Sequence, residues 1–184
     1  MNRDELFNEL KKRVHDDHLI KHMLATEAVM RAVARRLGED EEKWGIAGLL
    51  HDIDYEVTKE DPTKHSIIGA EWLAEMGLPD DIVHAVKVHN EAHGFPRNSL
   101  LDKALFAVDP LTGFITAVAL VMPDKKLSTV KVKSLKKKFK DKRFAAGANR
   151  DQIKTCETEL NIPLSEFFEI SLKAMQEIAE ELGL

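Results

Sequence analysis

The sequence predicts an all-α protein forming one domain. Three observations carry this. Apolar residues recur three or four positions apart along most of the chain, and capping residues and glycines punctuate that pattern at helix-length intervals. The one stretch with strand-like alternation, residues 130–132, is too short to support a sheet. The length of 184 residues suits a single domain, and a hydrophobic content of 43% is enough for a core.

Taken in order, Asp17 stands at the start of a helix that reaches Leu37 and stops at Gly38, with Ile20, Leu24, Val33, Ala34 and Leu37 as apolar positions. Asp40 caps the next helix, where Trp44, Ala47 and Leu50 keep near-helical spacing to about Ile53. A polar loop closes at Asp61-Pro62, and Thr63 or Lys64 opens a helix through Met76, stopped by Gly77. Pro79 suits the first turn of a helix extending to about Ala92, and "HGFPRNS" is a loop. Ser99 caps the long apolar segment "LLDKALFAVDPLTGFITAVALVM", in which Pro110 removes a backbone donor and predicts a kink or split after Asp109. A Lys-rich stretch, a helix over 149–160 and an amphipathic helix over 165–182 complete the chain.

No uninterrupted apolar run reaches the roughly 18 residues that span a bilayer. Asp102, Lys103 and Asp109 mark the longest apolar segment as a core helix, so no membrane partner is expected. The start, "MNRDELFNELKKR", lacks the apolar region of a signal peptide, and the single Cys156 forms no internal disulfide. A cytoplasmic setting is the expectation. The net charge of -5 is unevenly spread: residues 125–143 hold ten basic side chains and one acidic, against 17 basic and 31 acidic elsewhere. That segment reads either as a solvated helix or as a contact for phosphate or nucleic acid.

The histidines are the chemical signal. His22 shares a helix face with Thr26, Val29 and Val33 and so looks inward. His51 and Asp52 end the run "AGLLHD", where burial is costly unless a partner is present. Asp109 places a carboxylate inside the apolar segment beside the proline. Two inward imidazoles and two carboxylates from three helices suit a divalent transition metal: Zn, Mn, Fe or Co rather than Mg. His65 and His89 are placed to supply a second ion, with Asp52 as the bridge. His15, His18 and His84 read as structural or surface residues. His93 is open between a ligand pair with His89 and a helix end at Gly94.

The order His22, His51-Asp52, Asp109 resembles the H…HD…D signature of the HD-domain superfamily of metal-dependent phosphohydrolases. "HDID" is similar to the "HDIG" of one branch, with Asp54 in place of the glycine. "KHSIIGAEWLAEMGLPDDIVHAVKVHN" resembles the middle of that branch. "AVDPLTGFITAVAL" and "KVKSLKKKFKDKRFAAG" resemble a bacterial and archaeal group described only as predicted HD-superfamily hydrolases. The branch that cleaves cyclic dinucleotides carries a double histidine and a Gly-Tyr-Pro motif. Here Asn90 replaces the second histidine, and "HGFP" only echoes the motif.

The resemblance implies an HD-type helical bundle with a core of about residues 17–122 and extra C-terminal helices in 123–184. It implies His22, His51, Asp52 and Asp109 as ligands of a first ion, with His65 and His89 matching the ligands of a second. The expected activity is phosphomonoester or phosphodiester hydrolysis of a nucleotide or other small phosphorylated metabolite, with Asp52 as the catalytic residue orienting the attacking water. Lys64, Lys131, Lys133 and Lys137 are the candidate phosphate contacts, the last three on a segment expected to fold over the pocket. The same six-residue set also resembles the di-iron oxygenases of the superfamily. A third reading is a non-catalytic nucleotide- or RNA-binding module built on the lysines. The sequence leaves the number of subunits open.

Overall fold

The long apolar segment after Ser99 becomes the axis of the molecule. The computed structural model describes residues 1–184 and contains eleven α-helices and no strand. They are α1 (Arg3–Arg13), α2 (Asp17–Leu37), α3 (Glu41–Leu50), α4 (Tyr55–Thr58), α5 (Ile67–Glu75), α6 (Asp80–Val88), α7 (Leu100–Leu120), α8 (Val132–Phe139), α9 (Arg150–Glu159), α10 (Leu164–Glu177) and α11 (Ala179–Leu182). α7 packs against α2, α3, α6, α8, α9 and α10. It has the length and hydropathy of a bilayer-crossing helix, yet it buries Leu105, Val108, Leu111, Phe114, Ile115 and Val118 inside the protein.

Ser99 and Asp102 form a reciprocal capping box at the start of α7. The expected split after Asp109 does not occur, since the helix continues through Pro110 to Leu120. Proline at 110 has no N–H to offer the Phe106 carbonyl. The Gln152 side chain from α9 donates to that carbonyl instead, at 2.7 Å. A tertiary hydrogen bond thus replaces the missing helical one.

α2 and α3 form the most extensive helix pair. Gly48 makes the close approach achievable: a Cβ there would lie 2.8 Å from the Thr26 carbonyl oxygen. Gly48 precedes His51 by one turn and Thr26 follows His22 by one turn, so this contact brings the two imidazoles together.

Several boundaries differ from the sequence expectation, each for a local reason. Asp16, not Asp17, caps α2. α3 stops at Leu50 because residues 51–54 tighten into successive three-residue turns, with Ile53 donating to Leu50 and Tyr55 to Asp52. α5 starts at Ile67 because Ser66 sits in the left-handed region (φ 70°). α6 ends at Val88 because Asn90 is extended and caps a short 3-10 turn, Glu91–His93. Ile178 leaves the helical region and separates α10 from α11. α1 is an addition. Its signals are an Asn2–Glu5 capping box and Leu6 and Leu10 at helical spacing, both fully buried. Burial of each leucine contributes about 1.5–3 kcal/mol.

Candidate metal centre

Six side chains from α2, α7 and the turns at the ends of α3, α5 and α6 converge. His22 lies on α2, His51 and Asp52 follow α3, His65 precedes α5, His89 follows α6, and Asp109 lies on α7. His22 Nε2 is 3.1 Å from both His51 Nε2 and Asp109 Oδ1, and His51 Nε2 is 3.6 Å from Asp109 Oδ1. Asp52 divides its two oxygens. Oδ2 lies 3.5 Å from His51 Nε2 and 3.7 Å from His22 Nε2. Oδ1 lies 3.4 Å from His65 Nε2 and 3.5 Å from His89 Nε2. Two overlapping triads result: His22, His51 and Asp109, and His51, Asp52 and His89. Donor atoms bound to one ion at about 2.0–2.2 Å stand roughly 3.0–3.6 Å apart, so these spacings fit a divalent metal.

The second ring nitrogen of each histidine settles which atom faces the centre. His51 Nδ1 donates to the Gly48 carbonyl at 2.8 Å, and His89 Nδ1 to the Val86 carbonyl at 2.6 Å. His65 Nδ1 donates to Asp54 Oδ1 at 2.9 Å. His22 Nδ1 faces the Thr112 hydroxyl at 3.2 Å, and that hydroxyl donates to the Asp109 carbonyl. Neutral imidazoles held this way turn four Nε2 lone pairs toward two carboxylates. Such a cluster is electrostatically repulsive unless it holds cations.

Protons fill that role when no metal does. Burial opposes the charging of His51, but Asp52 and Asp109 outweigh it and raise the imidazole to about 9. Burial likewise opposes charging His65, yet its bond to Asp54 and the nearby Asp52 push it above its ordinary value. Burial would raise both carboxylates, and the surrounding histidines instead hold Asp52 and Asp109 well below the usual range.

Asp54, noted in the sequence only as standing where the related branch has glycine, holds one of the converging histidines. It is fully buried and accepts from His65 Nδ1 and, at 2.8 Å, from the Gly69 backbone N–H. A Cβ at Gly69 would press on that carboxylate at 3.2 Å. The signal was present, since a second acid two residues after "HD" needs a partner when buried. Ser66 Oγ donates to the Lys87 carbonyl, and His93 Nε2 donates to the His65 carbonyl at 2.7 Å. His93 thus holds the backbone of His65 rather than pairing with His89. His84 pairs with Asp102 at the edge of the bundle.

The centre opens into a cleft of about 490 Å³ lined by His22, Asp52, His65 and Asp109 at its floor. Asp16, His18, Leu19, Tyr55, Glu56 and Lys59 form its walls. Lys59 is the only lysine there. Lys64 pairs with Asp61 in solvent. Lys131, Lys133 and Lys137 are exposed around α8, whose Phe139 packs on Phe114. Phe114 is five residues past Asp109 and so faces about 140° away from it around α7. The lysine segment therefore does not close over this cleft, contrary to the sequence expectation. His18, read from sequence as a surface residue, stands on the cleft wall.

The fold and the centre define an all-helical protein with a His/Asp cluster suited to divalent metal. The chain belongs to the HD domain family, whose model matches residues 19–112. It is similar to Ribonuclease Y of Oleidesulfovibrio alaskensis, 33% identical over 110 residues, which is 59% of this chain and 21% of that protein. It is also similar to Ribonuclease Y of Lawsonia intracellularis, 35% identical over 86 residues, 47% of this chain and 16% of that protein. The matched region spans only about a fifth of those relatives.

Proposed function

We propose that this protein is a metal-dependent phosphohydrolase that cleaves a phosphate ester of a nucleotide or nucleotide chain. The observation that carries the reading is the division of Asp52 between two histidine groups, its Oδ2 toward His22 and His51 and its Oδ1 toward His65 and His89. Divalent ions held there supply charge neutralisation at phosphoryl oxygens and lower the pKa of water to about 7.

The chain's own residues do the rest. Asp52 keeps lone pairs free toward the cleft and accepts a hydrogen bond from the attacking water, orienting it. Lys59 offers a point charge to a non-bridging phosphate oxygen. Tyr55 is 44% exposed beside His65, with ring centroids 5.2 Å apart, and offers a face to a sugar or base. The relatives named Ribonuclease Y support a nucleotide phosphodiester over an unrelated phosphate ester.

The test combines elemental analysis of the purified protein with a screen of nucleotides, oligonucleotides and simple phosphate esters. Hydrolysis should proceed without O₂ and fall by roughly 10²-fold or more in Asp52→Asn, which keeps the fold. Iron-dependent O₂ uptake with no phosphate release would replace this reading with the oxygenase. Full turnover in Asp52→Asn would refute the role of that carboxylate.

A further inference from the structure

Apart from the ions proposed for its floor, the catalytic cleft offers a polyanion one basic side chain on its walls, Lys59. The walls also carry Asp16 and Glu56, and the floor holds Asp52 and Asp109. Contacts with the more distant phosphates of a nucleotide chain have to come from elsewhere on the surface.

The structure supplies such a place. Residues 125–143 carry ten basic side chains, and all but Lys138 are exposed. Six of the ten lysines outside this segment pair with a carboxylate, among them Lys12 with Glu9, Lys21 with Asp17, Lys43 with Asp81 and Lys103 with Glu159. In the basic segment no lysine has such a partner, and the only ion pair is Arg143 with Asp141 at 3.8 Å. The charge continues through Lys140 and Lys142 into a groove of about 630 Å³ beyond α8, where Arg150 is spent on the carbonyls of Asp141, Phe144, Ala145 and Ala148 and Lys154 pairs with Asp151 at 3.8 Å. This groove shares no residue with the catalytic cleft.

We propose that the basic face of α8 and the groove that follows it form a docking surface for the phosphate backbone of a nucleic acid, separate from the catalytic cleft. Three features favour that partner. The rest of the chain carries 17 basic and 31 acidic side chains, so this face is the one concentration of positive charge on a mildly acidic body. The apolar side of α8 is spent on the core, with Leu135 and Phe139 buried, so little apolar surface remains to enter a lipid bilayer. Phe139 and Phe144 pack on Phe114 beneath Arg150, and Lys138 lies over Phe144, so neither ring forms a platform for bases. Binding is therefore electrostatic, steep in salt and indifferent to sequence.

This deepens the phosphohydrolase reading by naming a substrate class, and rests on it for the claim of substrate. Binding is measured without turnover, so the two fail separately. The probe is a fluorescein-labelled oligouridylate, titrated by anisotropy with the Asp52→Asn protein across a salt series. The comparison adds Lys133→Gln, Lys137→Gln and Lys140→Gln together. Each lost phosphate contact on a single strand flattens the slope of log K against log salt by about 0.7, so three should flatten it by about 2 and weaken binding roughly 10-fold or more. In an otherwise unaltered chain the same triple substitution should leave hydrolysis of bis(p-nitrophenyl) phosphate unchanged. An equal slope with and without the three substitutions overturns the proposal. So does failure to bind the oligouridylate, including the case in which phosphatidylserine vesicles bind instead.

Discussion

Replacing Asp54 by asparagine isolates one half of the metal centre. Asp54 accepts two hydrogen bonds in a fully buried position, from His65 Nδ1 at 2.9 Å and the Gly69 N–H at 2.8 Å. Asparagine has nearly the same shape but only one acceptor oxygen. If that oxygen keeps Gly69, the amide NH₂ faces His65 Nδ1, and the ring must either lose its bond or move its proton to Nε2. The second course turns an N–H toward Asp52 and removes the lone pair from the centre. Losing one hydrogen bond to a charged group costs about 1.5–3 kcal/mol. For a chain of this size that lowers Tm by about 3–12 °C. Loss of the residue that orients a ligating histidine costs roughly 10–100-fold in metal affinity. The assay is calorimetric titration of chelator-treated protein with Mn or Zn, paired with a thermal melt. His22, His51 and Asp109 do not touch Asp54, so the loss should fall on binding that uses His65 and His89. Unchanged affinity and stoichiometry in a folded Asp54→Asn protein would refute the positioning role.

Three further outcomes follow from the same geometry. Gly48→Ala places a methyl group 2.8 Å from the Thr26 carbonyl oxygen, so α2 and α3 must part; it should destabilise by about 1–3 kcal/mol, and an unchanged calorimetric Tm would contradict the close approach. Lys59→Ala should raise KM for a phosphate ester more than it lowers kcat, while a pure kcat defect would remove Lys59 from substrate binding. In metal-free protein His51 is raised to about 9, so its contribution is full below an unfolded value of about 6.5 and is lost as pH rises through about 9. Asp52 and Asp109 are shifted the other way, and their contribution is lost on acidification. Melts in chelator should therefore show Tm falling across that alkaline window, with the fall suppressed by bound metal; a rising metal-free Tm there would be inconsistent with the cluster.

Four of the six converging side chains were legible because each breaks an apolar pattern, while His65 and His89 were legible from their places at helix ends and from the family resemblance. His22 interrupts a core-facing stripe, His51-Asp52 ends a run of small and apolar residues, and Asp109 lies inside the longest apolar segment. The residues that orient them were harder to read. Asp54, Thr112 and His93 act through bonds to partners 11, 90 and 28 positions away, and nothing local to each residue marks the pairing. Of the kink or split expected at Pro110, the split is absent for the same reason, since the donor to the Phe106 carbonyl comes from position 152. The lysines were misplaced because charge has no periodicity that says which neighbour a helix packs on. That was fixed by the packing of α8 on α7 and α10, with Phe139 against Phe114 and Phe168.

The amide of Gln152 on the Phe106 carbonyl makes the C-terminal extension part of the scaffold behind the candidate metal centre rather than an appendage. A fragment cut after residue 122 would keep every candidate ligand. It would also strip Phe114 of its aromatic neighbours and leave the carbonyl one turn before Pro110 without its donor. The helix that aims Asp109 would then lose the bond that bridges its proline turn, so the family segment in this chain draws part of its geometry from its tail.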